Sequence, residues 1–286
     1  MKSDNALVSV IIPTYQRASV IMRAVKSVLG QTYKELELII VNDGGSKEEG
    51  DSTLELLAAV CDSRLRIITT TNQGVSAARN LGVKQASGIF LAFLDSDDEW
   101  LPQKLEKQME LHRQCPEFEW SHTDEIWIRR GKRVNAGKIH QKSGGDIFIR
   151  SLDLCLVSPS TVIMKKDFFL SLGGFRQDFP ACEDYDLWLK ASVRAAIGFL
   201  PEALIIKYGG HADQLSAKFK AMDWWRALSL LWLLENLKLS DEKRVSVLKV
   251  LSYKCDILIK GYRKHGHENQ CMEVEKIKGR AKALPH

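Results

Sequence analysis

Three carboxylates fall within four positions in Asp95-Ser96-Asp97-Asp98, directly behind the apolar run 89–94. A strand end cannot keep three unpaired anions away from water, because desolvating each one costs several kcal/mol. A hard divalent cation resolves this, with carboxylate oxygens on one side and a substrate's phosphate oxygens on the other. The plainer alternative is an acidic turn ahead of a helix starting near Pro102, where the helix dipole favours Asp and Glu. Taken alone, the tract leaves both readings open.

The surrounding elements must decide where such a tract points. Residues 7–12 form a near-continuous apolar run, as expected of a strand covered on both faces, and Pro13 ends it. Apolar residues at Val20, Ile21, Ala24, Val25, Val28 and Leu29 have helical spacing. A second strand is expected over 36–41, closed by Asn42-Asp43-Gly44-Gly45. A helix follows over about 47–60, a strand over 65–69, a helix capped by Ser76, and a strand over 89–94. This alternation predicts an α/β fold with a mainly parallel sheet and helices on both faces. Ligands of such sheets bind beyond the carboxyl ends of the strands. Three strands end in polar groups at that edge: Pro13-Thr14-Tyr15, Asp43-Gly44, and the acidic tract. After residue 114 the alternation fades. Strands are expected over 118–128, 133–139, 160–165 and 201–208, a helix from about Glu183, and helices from Asp213 onward.

Length and composition narrow the class. The 286 residues can build one large core, or one domain with a smaller appendage, and 45% hydrophobic with 27% charged content is ordinary for a globular protein. Residues 243–286 hold 11 Lys/Arg against 4 Asp/Glu, so this tail carries +7 and the rest of the chain −2. A basic tail suits an anionic surface or is simply a solvated helix face. The six cysteines form no C-x-x-C pair and the polar start shows no leader segment, so a reducing cytoplasm is expected. The longest apolar stretch, 227–234, is far below the ~20 residues that span a bilayer.

In their order and spacing, VSVIIPTYQR (8–17), SVLGQTY (27–33), ELIIVNDGGS (37–46), NQGVSAARNLGVKQASG (72–88) and FLDSDDEWLPQKLEKQ (93–108) resemble the family 2 glycosyltransferases of the GT-A fold. GGF (173–175) and EDYDLWLK (183–190) extend the match, which covers about residues 6–215. The resemblance implies a GT-A catalytic domain over 1–215, with a nucleotide-binding half (about 1–115) and an acceptor half (about 116–215). Residues 216–286 would be a helical extension. It implies an inverting transferase that moves a sugar from a nucleotide-diphosphate donor, UDP-linked, to a glycan or glycolipid hydroxyl, of the kind that builds surface polysaccharide or lipopolysaccharide. Mn²⁺ or Mg²⁺ would be the cofactor, and no nucleic acid would be a partner.

Residue by residue, the resemblance places Pro13, Thr14, Tyr15, Asp43, Arg79, Asp95 and Ser96 in donor binding. Tyr15 can lay its ring on a nucleobase, worth about 1–3 kcal/mol. Asp43 can accept from a base N–H, although an Asp-Gly turn would favour the same dipeptide. Arg79 could hold a diphosphate in two-pronged geometry or pair with an acidic-tract carboxylate. Asp95 would reach the ribose or a metal-bound water and Asp97 the metal directly, with His211 as a further metal ligand or a plain loop histidine. Asp98 would stand behind them or cap a helix. Asp184 is the expected general base, its basicity raised by Glu183 and Asp186. All three could instead be helix N-terminal acids.

Trp224, Trp225 and Trp232 could pack on the catalytic domain, form a homodimer seam, or make a peripheral membrane face. Two other functions compete. A nucleotidyltransferase would need a Gly-rich phosphate loop after the first strand, where this chain has Pro13-Thr14-Tyr15-Gln16-Arg17. A non-catalytic scaffold would not be expected to retain Asp43, Asp95, Asp97 and Asp184 together.

Overall fold

In a computed structural model, residues 6–44, 52–135, 137–210, 219 and 221–284 are described. The strands are β1 (Val8–Thr14), β2 (Leu36–Asn42), β3 (Leu65–Thr69), β4 (Phe90–Phe93), β5 (Glu99–Trp100), β6 (Trp120–Arg129), β7 (Lys132–Val134), β8 (Ile163–Lys165) and β9 (Gly198–Gly209). The helices are α1 (Ile21–Leu29), α2 (Thr53–Ala58), α3 (Val75–Gln85), α4 (Lys104–Gln114), α5 (Phe148–Ser151), α6 (Lys166–Ser171), α7 (Glu183–Arg194), α8 (Asp223–Asn236), α9 (Asp241–Lys264) and α10 (Glu268–Ala283).

One sheet runs in the order β3-β2-β1-β4-β8-β6-β9-β5, with β7 on β6. From β3 to β4 every pairing is parallel. Beyond β4 the sheet is mixed: β8 pairs antiparallel with β4 and β6, while β6 and β9 run parallel. Burial on both faces explains the unbroken apolar runs of β1 and β2. Val8, Val10 and Ile12 enter a core with α1 and α4, whereas Ile11, Ile39 and Val41 enter a second core with α3 and α7. Gly82 of α3 permits that second layer to close, since a Cβ there would stand 2.5 Å from Ile11.

Register sets the ligand edge. Thr14 is level with Asn42, and the Asp43 amide donates to the Thr14 carbonyl at 2.8 Å. Ile11 is level with Phe93, and the Leu94 amide donates to the Ile11 carbonyl at 3.0 Å. The carboxyl ends of β1 and β2 therefore stop together, while β4 stops earlier, level with Ile11, and the acidic tract continues from there.

Several local expectations need correction. Ser76 does not cap α3; Gly74 holds the cap position with φ +92°, and Ser76 is buried inside the first turn. Residues 138–140 form a 3-10 turn, so the strand expected over 133–139 is only the short β7. Residues 159–161 likewise form a 3-10 turn ahead of β8. The beginning of the helix expected over 47–60 lies outside the described residues, and its described part is α2.

The C-terminal helices form a third core. Ala227, Leu230 and Leu234 of α8 meet Val247 and Leu251 of α9 and Val274 of α10, closing on Phe148, Leu152, Tyr185 and Leu189. Trp224, Trp225 and Trp232 pack against this cluster. Phe179 lies 5.3 Å from Trp225, and the Lys190 ammonium is 4.3 Å above the Trp232 ring. The three tryptophans are thus half-buried against the chain's own core. Among the described residues no helix is long and apolar enough to cross a membrane.

Two buried histidines give the fold a pH dependence. His112 Nε2 meets Ser121 Oγ at 2.9 Å, and His122 Nε2 meets the Ser143 carbonyl at 2.9 Å. Burial pulls His112 down to about 4 and His122 to about 3. The folded state keeps both neutral, so their contribution is complete above the ordinary value of 6.5 and is lost as pH falls toward those lowered values. Each costs about 1.4 kcal/mol per pH unit in that window. Asp98 and Glu183, both pushed up chiefly by burial, act with the opposite sign, so the test is a comparison. Thermal melts from pH 7 to pH 4 should show His112→Gln/His122→Asn losing less stability on acidification than wild type. Parallel curves would refute the assignment.

Candidate functional site

A cleft of about 500 Å³ opens beyond the carboxyl ends of β1, β2 and β4 and is lined on another side by the start of α7. Its walls carry Thr14, Asp43, Asp95, Asp97, Asp184 and Lys207. Tyr15, part exposed, lays its ring beside Gly44, where a Cβ would stand 2.9 Å from Tyr15 Cδ2. Pro13 and Ser96 also line the cleft.

Asp43 is buried, and burial pushes its carboxyl up. Its oxygens accept from the amides of Gln73 at 2.9 Å and Gly74 at 2.8 Å, fixing the turn that opens α3. A carboxylate oxygen has room for a second donor, so this does not exhaust Asp43 as an acceptor.

Arg79 takes the second of the two roles open to it. It is buried, with Nη2 2.7 Å from Asp95 Oδ1 and Nη1 2.7 Å from Glu183 Oε1. Burial opposes its charge, but Asp95 and Glu183 overcome that and hold the guanidinium above its ordinary value. The two-pronged grip expected on a diphosphate is here a grip on two carboxylates. It joins the acidic tract to the first turn of α7.

The tract divides its carboxylates among three environments. Asp95 is held by Arg79, and its amide donates to Ser160 Oγ at 3.2 Å. Asp98 is buried, accepting from Ser160 Oγ at 2.7 Å and the Tyr208 amide at 3.1 Å. Burial, then the charge of Asp95, pushes it far up. It lines the cleft beside Asp97 and caps no helix, since α4 begins at Lys104. Asp97 lies at the rim, 4.0 Å from Arg17 Nη1. Its carbonyl accepts from Arg23, whose guanidinium stacks 3.6 Å over the Tyr208 ring.

Asp184 sits in the first turn of α7, behind Cys182, whose φ of +63° turns the chain into the helix. Its Oδ1 accepts from the Tyr185 amide at 2.7 Å, and its Oδ2 faces Cys155 Sγ at 3.6 Å. The flanking acids do not stand as free charges beside it. Glu183 is tied to Arg79, and Asp186 is buried in an ion pair with Lys190 at 2.6 Å. Glu183 and Asp186 therefore act as structural acids, and of the three only Asp184 lines the cleft without an ion-pair partner among the described residues. His211 lies outside the described residues. Among the described residues, no group of three His, Cys, Asp or Glu is arranged to hold a metal ion.

Sequence reading missed Lys207, which enters the cleft from β9. Its Nζ donates to Ser158 Oγ at 3.3 Å. Ser158 Oγ in turn donates to Glu125 Oε1 at 3.1 Å, and Glu125 Oε2 pairs with the buried Lys142 at 3.0 Å. Burial drives Glu125 up, but Lys142 and then Lys207 bring it down to about 2. The available signal was a lone lysine in the otherwise uncharged strand segment 203–208.

Removing one partner of a buried ion pair leaves uncompensated charge and costs about 3–5 kcal/mol. Arg79→Met should therefore destabilise the fold by that order in urea melts, strongly lowering the midpoint. Lys190→Met, which strands only Asp186 at the far face of α7, should leave ligand binding in the cleft intact. An Arg79→Met protein as stable as wild type would show that the bridge is not formed.

Known proteins resemble this chain in both sequence and fold. The family model described as "Glycosyl transferase family 2" matches residues 9–152. An uncharacterized glycosyltransferase of Rickettsia bellii is 33% identical over 206 residues, 70% of this chain, but this chain spans only 28% of that relative's length. The UDP-Glc:alpha-D-GlcNAc-diphosphoundecaprenol beta-1,3-glucosyltransferase WfgD of Escherichia coli is 34% identical over 190 residues, covering 65% of this chain and 70% of WfgD. The fold resembles that of S. aureus TarS 1–349, solved in complex with UDP-GlcNAc, with a TM-score of 0.77 at 20% identity, over 98% of this chain and 82% of TarS 1–349. The GT-A architecture expected from the motifs is thus the fold observed, and the chain belongs to glycosyl transferase family 2.

Proposed function

We propose that the cleft transfers a sugar from a UDP-linked donor to a hydroxyl of a glycan or glycolipid acceptor, with inversion at the anomeric carbon. One observation carries this reading: carboxylates from the ends of parallel strands share one cleft with Asp184, which has no ion-pair partner among the described residues. The first set suits a nucleotide diphosphate at the strand ends. The second suits a base on the acceptor side.

Tyr15 offers a ring face and Asp43 an acceptor for the base, at the ends of β1 and β2. Asp184 is the general base. It takes the proton of the acceptor hydroxyl as that oxygen forms its bond to the anomeric carbon and the nucleotide diphosphate leaves from the other face. The Tyr185 amide fixes the carboxylate's orientation for this step.

The residues fit a divalent cation. Mg²⁺-type sites commonly use one or two carboxylates together with substrate phosphates, and Asp95 and Asp97 line the cleft. Asp97 would hold it, with Asp95 adjacent, and the cation would offset charge growing on the leaving diphosphate. The nucleotidyltransferase alternative lacks a Gly-rich loop after β1, where Gln16 adopts a φ of +50° instead. WfgD is named for a lipid-diphosphate acceptor, which supports a role in surface polysaccharide or lipopolysaccharide assembly.

Asp184→Asn keeps shape and removes basicity. With UDP-glucose as donor, turnover should fall by about 10²–10⁴-fold while UDP affinity stays within a few fold. Near wild-type turnover would move the base to another group.

A further inference from the structure

We propose that the β6–β7 hairpin, with the turn at 138–140 beside it, is a docking surface for an anionic lipid membrane. The inference goes beyond the transfer reading, and its test does not depend on that reading.

Residues 126–145 include Arg129, Arg130, Lys132, Arg133, Lys138 and Lys142, and no Asp or Glu. Lys142 is buried against Glu125. The other cations are exposed, and among the described residues none of them is in an ion pair. Arg129 stands directly opposite Lys132 across the ribbon, a like-charge pairing that costs stability. An anionic partner turns that repulsion into attraction.

The hairpin projects from the edge of the sheet at which the cleft opens. β8 runs antiparallel to both β4 and β6, so β6 points the same way as β4, and β9 runs parallel to β6. Trp127 is level with Lys207 and Ile128 with Tyr208, and those two β9 residues line the cleft. Arg130 and Gly131 form the tip, with φ values of +50° and +74° that close a tight hairpin turn. The tip reaches about 10 Å past Lys207 along the strand direction. A surface met by the tip therefore also meets the mouth of the cleft.

Apolar exposure decides which kind of anionic partner fits. Ile139, 74% exposed, is the most exposed large hydrophobic residue of the described chain. It belongs to the 138–140 turn, which is held to the hairpin: the His140 ring lies 5.2 Å from the Trp127 ring, over which the Arg129 guanidinium sits at 5.2 Å. Arg150 steadies the residues that follow, donating to the Gln141 carbonyl at 2.7 Å and to Ser143 Oγ. A hydrated polyanion gains nothing from an exposed isoleucine among cations. A lipid surface takes both, the cations at the headgroups and the isoleucine just beneath them. The outer face of α9 is the rival surface, since Val245 and Tyr253 are exposed there with Lys249 and Lys260, but Glu242 and Asp256 are exposed on it too.

The test is co-sedimentation of the full chain with vesicles of phosphatidylcholine, alone or mixed with phosphatidylglycerol. Wild type should bind the mixed vesicles at least about tenfold more tightly, and added salt should weaken that binding. Arg129→Gln/Lys132→Gln/Lys138→Gln should lower it by about 100-fold, and Ile139→Ser by about three- to tenfold. Lys249→Gln/Lys260→Gln/Lys264→Gln should change it by less than about threefold. All of these side chains are exposed, so thermal melts that match wild type will separate lost binding from lost folding.

Equal binding to both kinds of vesicle, binding that survives the hairpin substitutions, or binding lost through the α9 substitutions instead would overturn the inference. Unchanged vesicle affinity in Ile139→Ser, with equally tight capture by dextran sulfate, would overturn it in favour of a soluble polyanion.

Discussion

Arg79 is the constraint on which the cleft depends. A guanidinium buried under Phe175, with one edge on Asp95 and the other on Glu183, ties a loop at the end of β4 to the first turn of α7. Those elements come from distant parts of the chain and from the two sides of the site. Two carboxylates alone would repel and draw in water, and the arginine alone would be an uncompensated buried charge. Together they form a rigid unit that fixes the spacing between the strand-end carboxylates and Asp184. The transfer proposed for this cleft would need that spacing held in common.

The same logic recurs around the wall. Lys190 takes Asp186, Lys142 takes Glu125, and Ser160 with the Tyr208 amide takes Asp98. What lies open after this pairing is a small set of groups with distinct tasks. The C-terminal helices contribute to the set from behind. Lys254 of α9 binds Asp223 of α8 at 3.1 Å and the Asp153 carbonyl at 3.0 Å, while the Tyr185 hydroxyl of α7 binds the Leu152 carbonyl. Met222, next to Asp223, lines the cleft. The helical extension thus braces α7, the helix that carries Asp184.

Sequence periodicity revealed the parallel half of the sheet because strands buried on both faces must be continuously apolar, as β1 and β2 are. It also located the edge at which the cleft opens, since the polar residues that abruptly follow such runs gather beyond the strands' carboxyl ends. The turn chemistry misled where tertiary contacts dominate: Ser76 resembles a cap by type, but Asp43 takes the Gln73 and Gly74 amides and leaves the cap position to a glycine. Arg79 could not be assigned from sequence because its partners lie 16 and 104 residues away. Lys207 escaped for the same reason, as its environment is assembled from β6, β9 and the 155–160 segment. The acidity of Glu183-Asp184-Asp186 was legible, but its division into two ion-paired acids and one with no ion-pair partner among the described residues exists only in three dimensions.

The most direct test of the nucleotide-diphosphate cleft is calorimetric titration of UDP into the full chain, with Mn²⁺ and then with chelator, for wild type and Asp97→Ala. The account predicts one UDP per chain, binding at least about tenfold more tightly with Mn²⁺, a gain of about 1.4 kcal/mol or more. The metal-dependent part should vanish in Asp97→Ala. Absence of UDP binding, or equal affinity with Mn²⁺ and chelator in wild type, would contradict it.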